Sequence, residues 1–139
     1  MRDWNFCGSG ILAIAAAKLG ASVVYALDHD PQALRATIDN AGVNAVSDIV
    51  QVIADRPLPA GCCDVLLANI LAGTLIELAP ELQRLLRPGG ALVLSGVLAN
   101  QAAAVRAAFP EFVFDADRIS EDWVCMSACR WPSRQCEPL

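Results

Sequence analysis

An α/β fold on a mostly parallel sheet is the class the sequence predicts, and three observations predict it. Strand-like and helix-like apolar periods alternate along most of the chain, separated by short Gly, Pro and Asp punctuation. A small-residue loop, Cys7-Gly8-Ser9-Gly10, runs straight into the apolar helix spelled by "ILAIAAAKLG". The last two strand-like runs, "EFVFDADRI" and "DWVCMSACRW", have no helical pattern between them, so one of the two must run antiparallel.

The elements follow in order. "MRDWNF" is too short and too polar to serve as a fully buried parallel strand, so the first strand is expected to be incomplete or missing. After the glycine loop and its helix, "ASVVYALD" (21–28) is a Val-rich buried strand. "DPQALRATIDNAG" reads as a helix with Asp30 as N-cap, Pro31 at the first helical position and Gly42 as its stop. Its apolar face is Ala33, Leu34, Ile38 and Ala41. "DIVQVIAD" (48–55) and "CDVLLANI" (63–70) are the next strands, the second fully buried.

A helix then carries Leu75, Leu78, Leu82, Leu85 and Leu86 at helical spacing. Pro80 is expected to kink or restart it, Arg84 and Arg87 complement its C-terminal dipole, and Gly89-Gly90 ends it. "ALVLSGVL" is a strand and "NQAAAVRAAF" a helix, and the two helix-less strands close the series. One α/β domain over residues 1–131, with a short tail 132–139, is the organisation this implies.

Composition narrows the function. The chain has 139 residues, 55% of them hydrophobic, which suits one domain with a real core. No apolar run reaches the roughly 18 residues of a membrane helix, and Asp3 stands where a signal peptide needs positive charge. A cytoplasmic protein with no membrane partner is expected. The net charge of −5, with the basic residues scattered, offers no stripe for nucleic acid. Six cysteines contain no CxxC pair and accompany a single histidine, His29, so thiols are expected rather than a metal site.

Three features fall at strand C-terminal ends, where open α/β sheets bind ligands. The loop Cys7, Gly8, Ser9 and Gly10 lets a ligand approach the backbone, and the helix behind it presents free N–H groups. Asp28 ends the second strand, placed to accept both hydroxyls of a ribose. Asp30 already fills the helix cap, which leaves Asp28 free. Asn69 ends "DVLLAN", where local backbone bonding is its bland alternative. His29 reads as an exposed loop residue rather than a base. Gly8 to Ala13 formally match G-x-G-x-x-A, so these residues leave NAD and S-adenosylmethionine both open.

Taken together, "CGSGILAIAAAKLGA", "DHDPQAL", "LLANILAGTLIELAPEL", "LRPGG", "LVLSGVLANQAAAVRAAF" and "EDWVCMSACR" resemble one family. It is the catalytic domain of the ribosomal-protein methyltransferases that modify large-subunit protein eleven (the PrmA family). "NILAG" followed by "LAPEL" and then "LSG" is the specific part, and it decides for S-adenosylmethionine. The resemblance implies a Rossmann-like class I methyltransferase sheet in the order 3-2-1-4-5-7-6 with the last strand antiparallel. It further implies methylation of amino groups, on lysine side chains or the N-terminus, of a large-subunit ribosomal protein. Cys7, Gly8, Gly10, Asp28 and Asn69 would bind the cofactor, and Asn69 would also stand beside the incoming amine. Asp55 would be a possible adenine neighbour. Asn69-Ile70-Leu71-Ala72 lacks the Asn-Pro-Pro-aromatic pattern of base- or glutamine-directed enzymes.

Two departures from that pattern set further expectations. Phe6 stands where the family has a cofactor-contacting glycine. The family also implies an N-terminal recognition domain and a threonine-bearing segment before the first strand. Neither precedes "MRDWNF", so an N-terminally truncated catalytic domain is expected. The alternatives are a non-catalytic remnant, a module that forms homo-oligomers through the vacant sheet position, or a nicotinamide dehydrogenase domain that gives "NILAG" no role.

Overall fold

The first strand forms. In the computed structural model, β1 (Arg2–Phe6) runs parallel to β2 (Val23–Leu27) along its whole length, from Arg2 opposite Val23 to Phe6 opposite Leu27. This corrects the expectation of an incomplete or missing strand. A parallel ladder is made of backbone N–H and C=O groups, so a Val-rich neighbour holds a sequence of poor strand propensity in register. The residues described are 2–6, by backbone alone, and 10–131. They divide into two compact units, Met1–Leu58 and Pro59–Leu139.

In the first unit, α1 (Ile11–Lys18) and α2 (Pro31–Val43) alternate with β1, β2 and β3 (Val50–Ile53), and the strands lie parallel in the order β3-β2-β1. The core is built from small side chains: Ala13, Ala17, Ala21, Ala26 and Ala41 pack with Ile14, Val24, Val46 and Val50. Asp30 caps α2 as expected, its carboxylate accepting the Gln32 N–H at 2.9 Å, with Pro31 next in line. The helix runs through Gly42 to Val43, and the left-handed residue beyond it is Ala45 (φ 56°). Ile38, expected on the apolar face, is exposed. Thr37 takes the buried position instead, its hydroxyl donating to the Ala33 carbonyl at 3.0 Å. That bond within the helix is what lets a threonine be buried.

The second unit contains β4 (Cys63–Asn69), α3 (Ala72–Leu85), β5 (Leu86–Leu98), a 3-10 turn (Ala99–Gln101), α4 (Ala102–Ala107), β6 (Phe112–Phe114), β7 (Arg118–Ser120) and β8 (Trp123–Arg130). β4 and β5 are parallel, β8 is antiparallel to β5, and β6 and β7 both pair antiparallel with β8. Strand orders β3-β2-β1 in one unit and β4-β5-β8-β6 in the other match the two halves of the expected 3-2-1-4-5-7-6. β8 is the seventh strand of that scheme, and the short β7 is an addition. β4 is buried at Cys63, Leu66 and Ala68 rather than throughout.

α3 continues unbroken through Pro80 and buries Leu75, Ala79, Leu82 and Leu85. It stops at Leu85 rather than at Gly89-Gly90, which lie in the irregular start of β5 where register shifts between Cys63 and Val65. The helix end is capped by a residue far away in sequence. Arg130 donates to the Gln83 carbonyl at 2.8 Å and the Leu86 carbonyl at 2.6 Å. Arg84 instead pairs with Glu81 one turn back and holds that carboxyl below its usual range, and Arg87 pairs with Asp64. Arg130→Ala is expected to cost about 1–2 kcal/mol in urea unfolding, because two charge-assisted bonds to orphan carbonyls are lost. An unchanged midpoint would show that water replaces them freely.

"EFVFDADRI" splits into β6 and β7. Asp117 between them takes a two-oxygen bond from Arg106 (2.7 and 2.8 Å), which also lies 5.4 Å from the centre of the Phe114 ring. Phe109 and Phe112 pack edge to face at 5.6 Å. Cys62, Cys63 and Cys125 form no disulfide, whereas Cys129 is disulfide-bonded, so the expectation of thiols fails at that position. Among the described residues no helix is long and apolar enough to cross a membrane, and no group of three His, Cys, Asp or Glu could hold a metal.

Candidate functional site

Gly10 ends the glycine loop and begins α1. Its backbone is left-handed (φ 81°, ψ 9°), and no side chain caps the helix start. The Gly10 carbonyl accepts from Ile14 at 2.9 Å, which is the first bond of the helix. The amides ahead of Ile14 have no intrahelical acceptor and suit a polar or anionic group. Gly10 is also hemmed in on its own account: a Cβ there would stand 2.8 Å from Thr37 Cγ2 and 3.1 Å from the Thr37 Cα. Cys7 and Gly8, with Ser9, lie outside the described residues. Phe6 is the last residue of β1, opposite Leu27, in extended backbone.

Asp28 follows β2 and is half-buried. The sequence reading left its carboxylate free, and the structure corrects this. Its Oδ1 accepts the Asp30 N–H at 2.9 Å, while Asp30 in turn accepts from Gln32. Two consecutive carboxylate turns thus carry the chain from β2 into α2. Among the described residues no donor reaches the second Asp28 oxygen, so the group is oriented by the turn and keeps acceptor capacity. His29 is exposed beside it. Asp55 is exposed two residues past the end of β3, in a cleft of about 450 Å³ lined by Gln51, Ile53 and Arg56 among others.

In the second unit Asn69 is the last residue of β4, exposed, and paired with Ser95 of β5. Gly96 lies beside it. Here the β5–β8 ladder loses register between Leu94 and Val97, and Gly96 is left-handed at φ 81°. A cleft of about 380 Å³ opens at this point, with Gly96 and the start of α3 (Leu71, Ala72) on its wall and Glu77, Gln101 and Trp123 around it. Trp123 is 50% exposed, so a large ring is available to a ligand. Gln101 is oriented by its Oε1 accepting the Leu98 N–H at 3.1 Å. Sequence reasoning quoted "LSG" without giving Gly96 a task and passed over Trp123 and Gln101. The available signal was a glycine inside an apolar strand, which marks a bulge.

The family model for "Ribosomal protein L11 methyltransferase (PrmA)" matches residues 6–130. A ribosomal protein L11 methyltransferase of Pseudomonas aeruginosa is 51% identical over 126 residues, and that of Methylococcus capsulatus 48% over the same span. The match takes in 89% of this chain, and the chain spans 43% of the length of these curated relatives. Among solved structures, a ribosomal protein L11 methylase from Lactobacillus delbrueckii subsp. bulgaricus superposes with a TM-score of 0.85 at 31% identity. That likeness covers 93% of this chain and 69% of the other.

Proposed function

The chain belongs to the ribosomal protein L11 methyltransferase (PrmA) family, and from that membership we propose that it is the S-adenosylmethionine-dependent methyltransferase domain of such an enzyme. Residues 1–131 form that domain. Its acceptors are amino groups, on lysine side chains or the N-terminus, of ribosomal protein L11. The family match carries the cofactor assignment, and the Asp28 carboxylate, held by the Asp30 N–H at the C-terminal end of β2, is the group to receive its ribose. A carboxylate fixed there can accept from a ribose diol without first being ordered, which favours binding. A dinucleotide would use the same acid, but the family match supports the methyl donor.

S-adenosylmethionine supplies a methyl group on a sulfonium, an excellent leaving group. The residues of the chain therefore have to bind and orient rather than activate. In this reading the backbone of Cys7, Gly8 and Gly10 borders the methionine end, and Asp28 takes the ribose. The Asn69 carboxamide oxygen accepts an N–H of the neutral acceptor amine and so aims its lone pair. The cleft beside Asn69 and Gly96 admits the acceptor side chain, whose own proton leaves to solvent before transfer.

Calorimetric titration with S-adenosylhomocysteine tests this directly, and micromolar binding is expected. A folded chain that binds none would reduce the family relationship to ancestry. Asp28→Ala is expected to weaken that binding about tenfold or more, and Asp30→Ala less than about threefold, since Asp30 caps a helix and meets no ligand. Equal losses would make Asp28 no more than the first half of a turn.

A further inference from the structure

Gly96 faces the candidate catalytic side chain more closely than any ordinary residue could. A Cβ built on it would lie 2.8 Å from the Ile70 carbonyl oxygen and 3.0 Å from Asn69 Oδ1. One of these neighbours is backbone and the other is the functional oxygen itself. Its φ of 81° is also a conformation in which an L side chain is strained. The residue before it, Ser95, is the one that pairs with Asn69 across the β4–β5 ladder. The bulge between Leu94 and Val97 thus sits at the level of Asn69, and Gly96 lines the adjoining cleft. Bulges re-aim side chains where they interrupt a ladder.

We propose that Gly96 is a positioning residue for Asn69: its missing side chain leaves the volume in which the carboxamide oxygen rests, and any side chain in its place would turn that oxygen away. The inference rests on the reading of Asn69 as the group that orients the acceptor amine. Gly20 offers the contrast. It is left-handed too, at φ 107°, yet nothing lies within 4 Å of its would-be Cβ, so alanine there brings strain without crowding.

A double-mutant cycle of Gly96→Ala and Asn69→Ala in this chain tests the proposal, with Gly20→Ala as the control for strain. It is read by urea unfolding and by methyl transfer from S-adenosylmethionine to ribosomal protein L11. Gly96→Ala is expected to lower kcat about tenfold or more and leave KM for S-adenosylmethionine within about threefold. In the Asn69→Ala background the same change is expected to lower kcat less than about twofold, and its destabilisation should shrink because the crowded oxygen is gone. Equal fold-losses in both backgrounds would overturn the proposal and leave Gly96 a backbone requirement only. If Gly96→Ala does not fold, Gly96→Asn takes its place, since asparagine tolerates the left-handed region yet still carries a Cβ. A parent chain that transfers no methyl group counts against the activity rather than against Gly96. The unfolding cycle then decides alone: coupling supports the positioning role and additivity overturns it.

Discussion

Asn69→Ala is expected to lower methyl transfer about a hundredfold, while S-adenosylhomocysteine affinity falls by a much smaller factor, on the order of threefold. The asymmetry follows from the chemistry. A sulfonium methyl needs no activation, so the gain available to the protein lies in holding the amine lone pair in line. Errors of an ångström in such alignment cost about two orders of magnitude. Asn69 is suited to that task by its place as the exposed last residue of β4, held in register by Ser95. Radiolabelled methyl transfer gives kcat, and calorimetry gives the affinity. An affinity loss as large as the rate loss would make Asn69 a cofactor ligand only. Unchanged transfer would remove it from the site.

Gly10→Ala is expected to destabilise the chain by about 2–4 kcal/mol, summing left-handed strain and overpacking. The glycine loop invites the view that its glycines exist for the ligand. At Gly10 the fold itself imposes the demand. The added methyl would meet Thr37 at 2.8–3.1 Å, and Thr37 is 1% exposed and bonded within α2, so it has nowhere to move. Urea unfolding reads the loss, and Thr37→Ala in the same chain is expected to return part of it. A Gly10→Ala chain of parental stability that had lost only cofactor affinity would restore the ligand explanation.

The chain alternation, the Asp30-Pro31 start of α2 and the ends of β2 and β4 were legible because each is a local pattern: a period, a cap, a strand terminus. Asp28 and Asn69 were found by the same route, as polar residues where buried strands stop. What escaped was set by distant partners. Arg130 finishes α3 from the end of β8, which the Leu-rich helix pattern cannot announce. Arg106 reaches Asp117 and helps separate β6 from β7 within a run that reads as one strand. "RDWNF" reads as a poor strand, and its neighbour β2 makes it one.

By itself, then, the sequence determined the α/β alternation, the antiparallel close and the family, since periodicity, caps and motif spacing are written in neighbouring residues. Only the tertiary structure decided that Asp28 is fixed by a turn, that Gly10 is squeezed by Thr37 and that Gly96 leaves room for Asn69. The Asp28 turn spans two residues, but the other two are contacts between segments far apart in the chain, and a vacant volume beside a glycine exists only once the second segment has been placed against it.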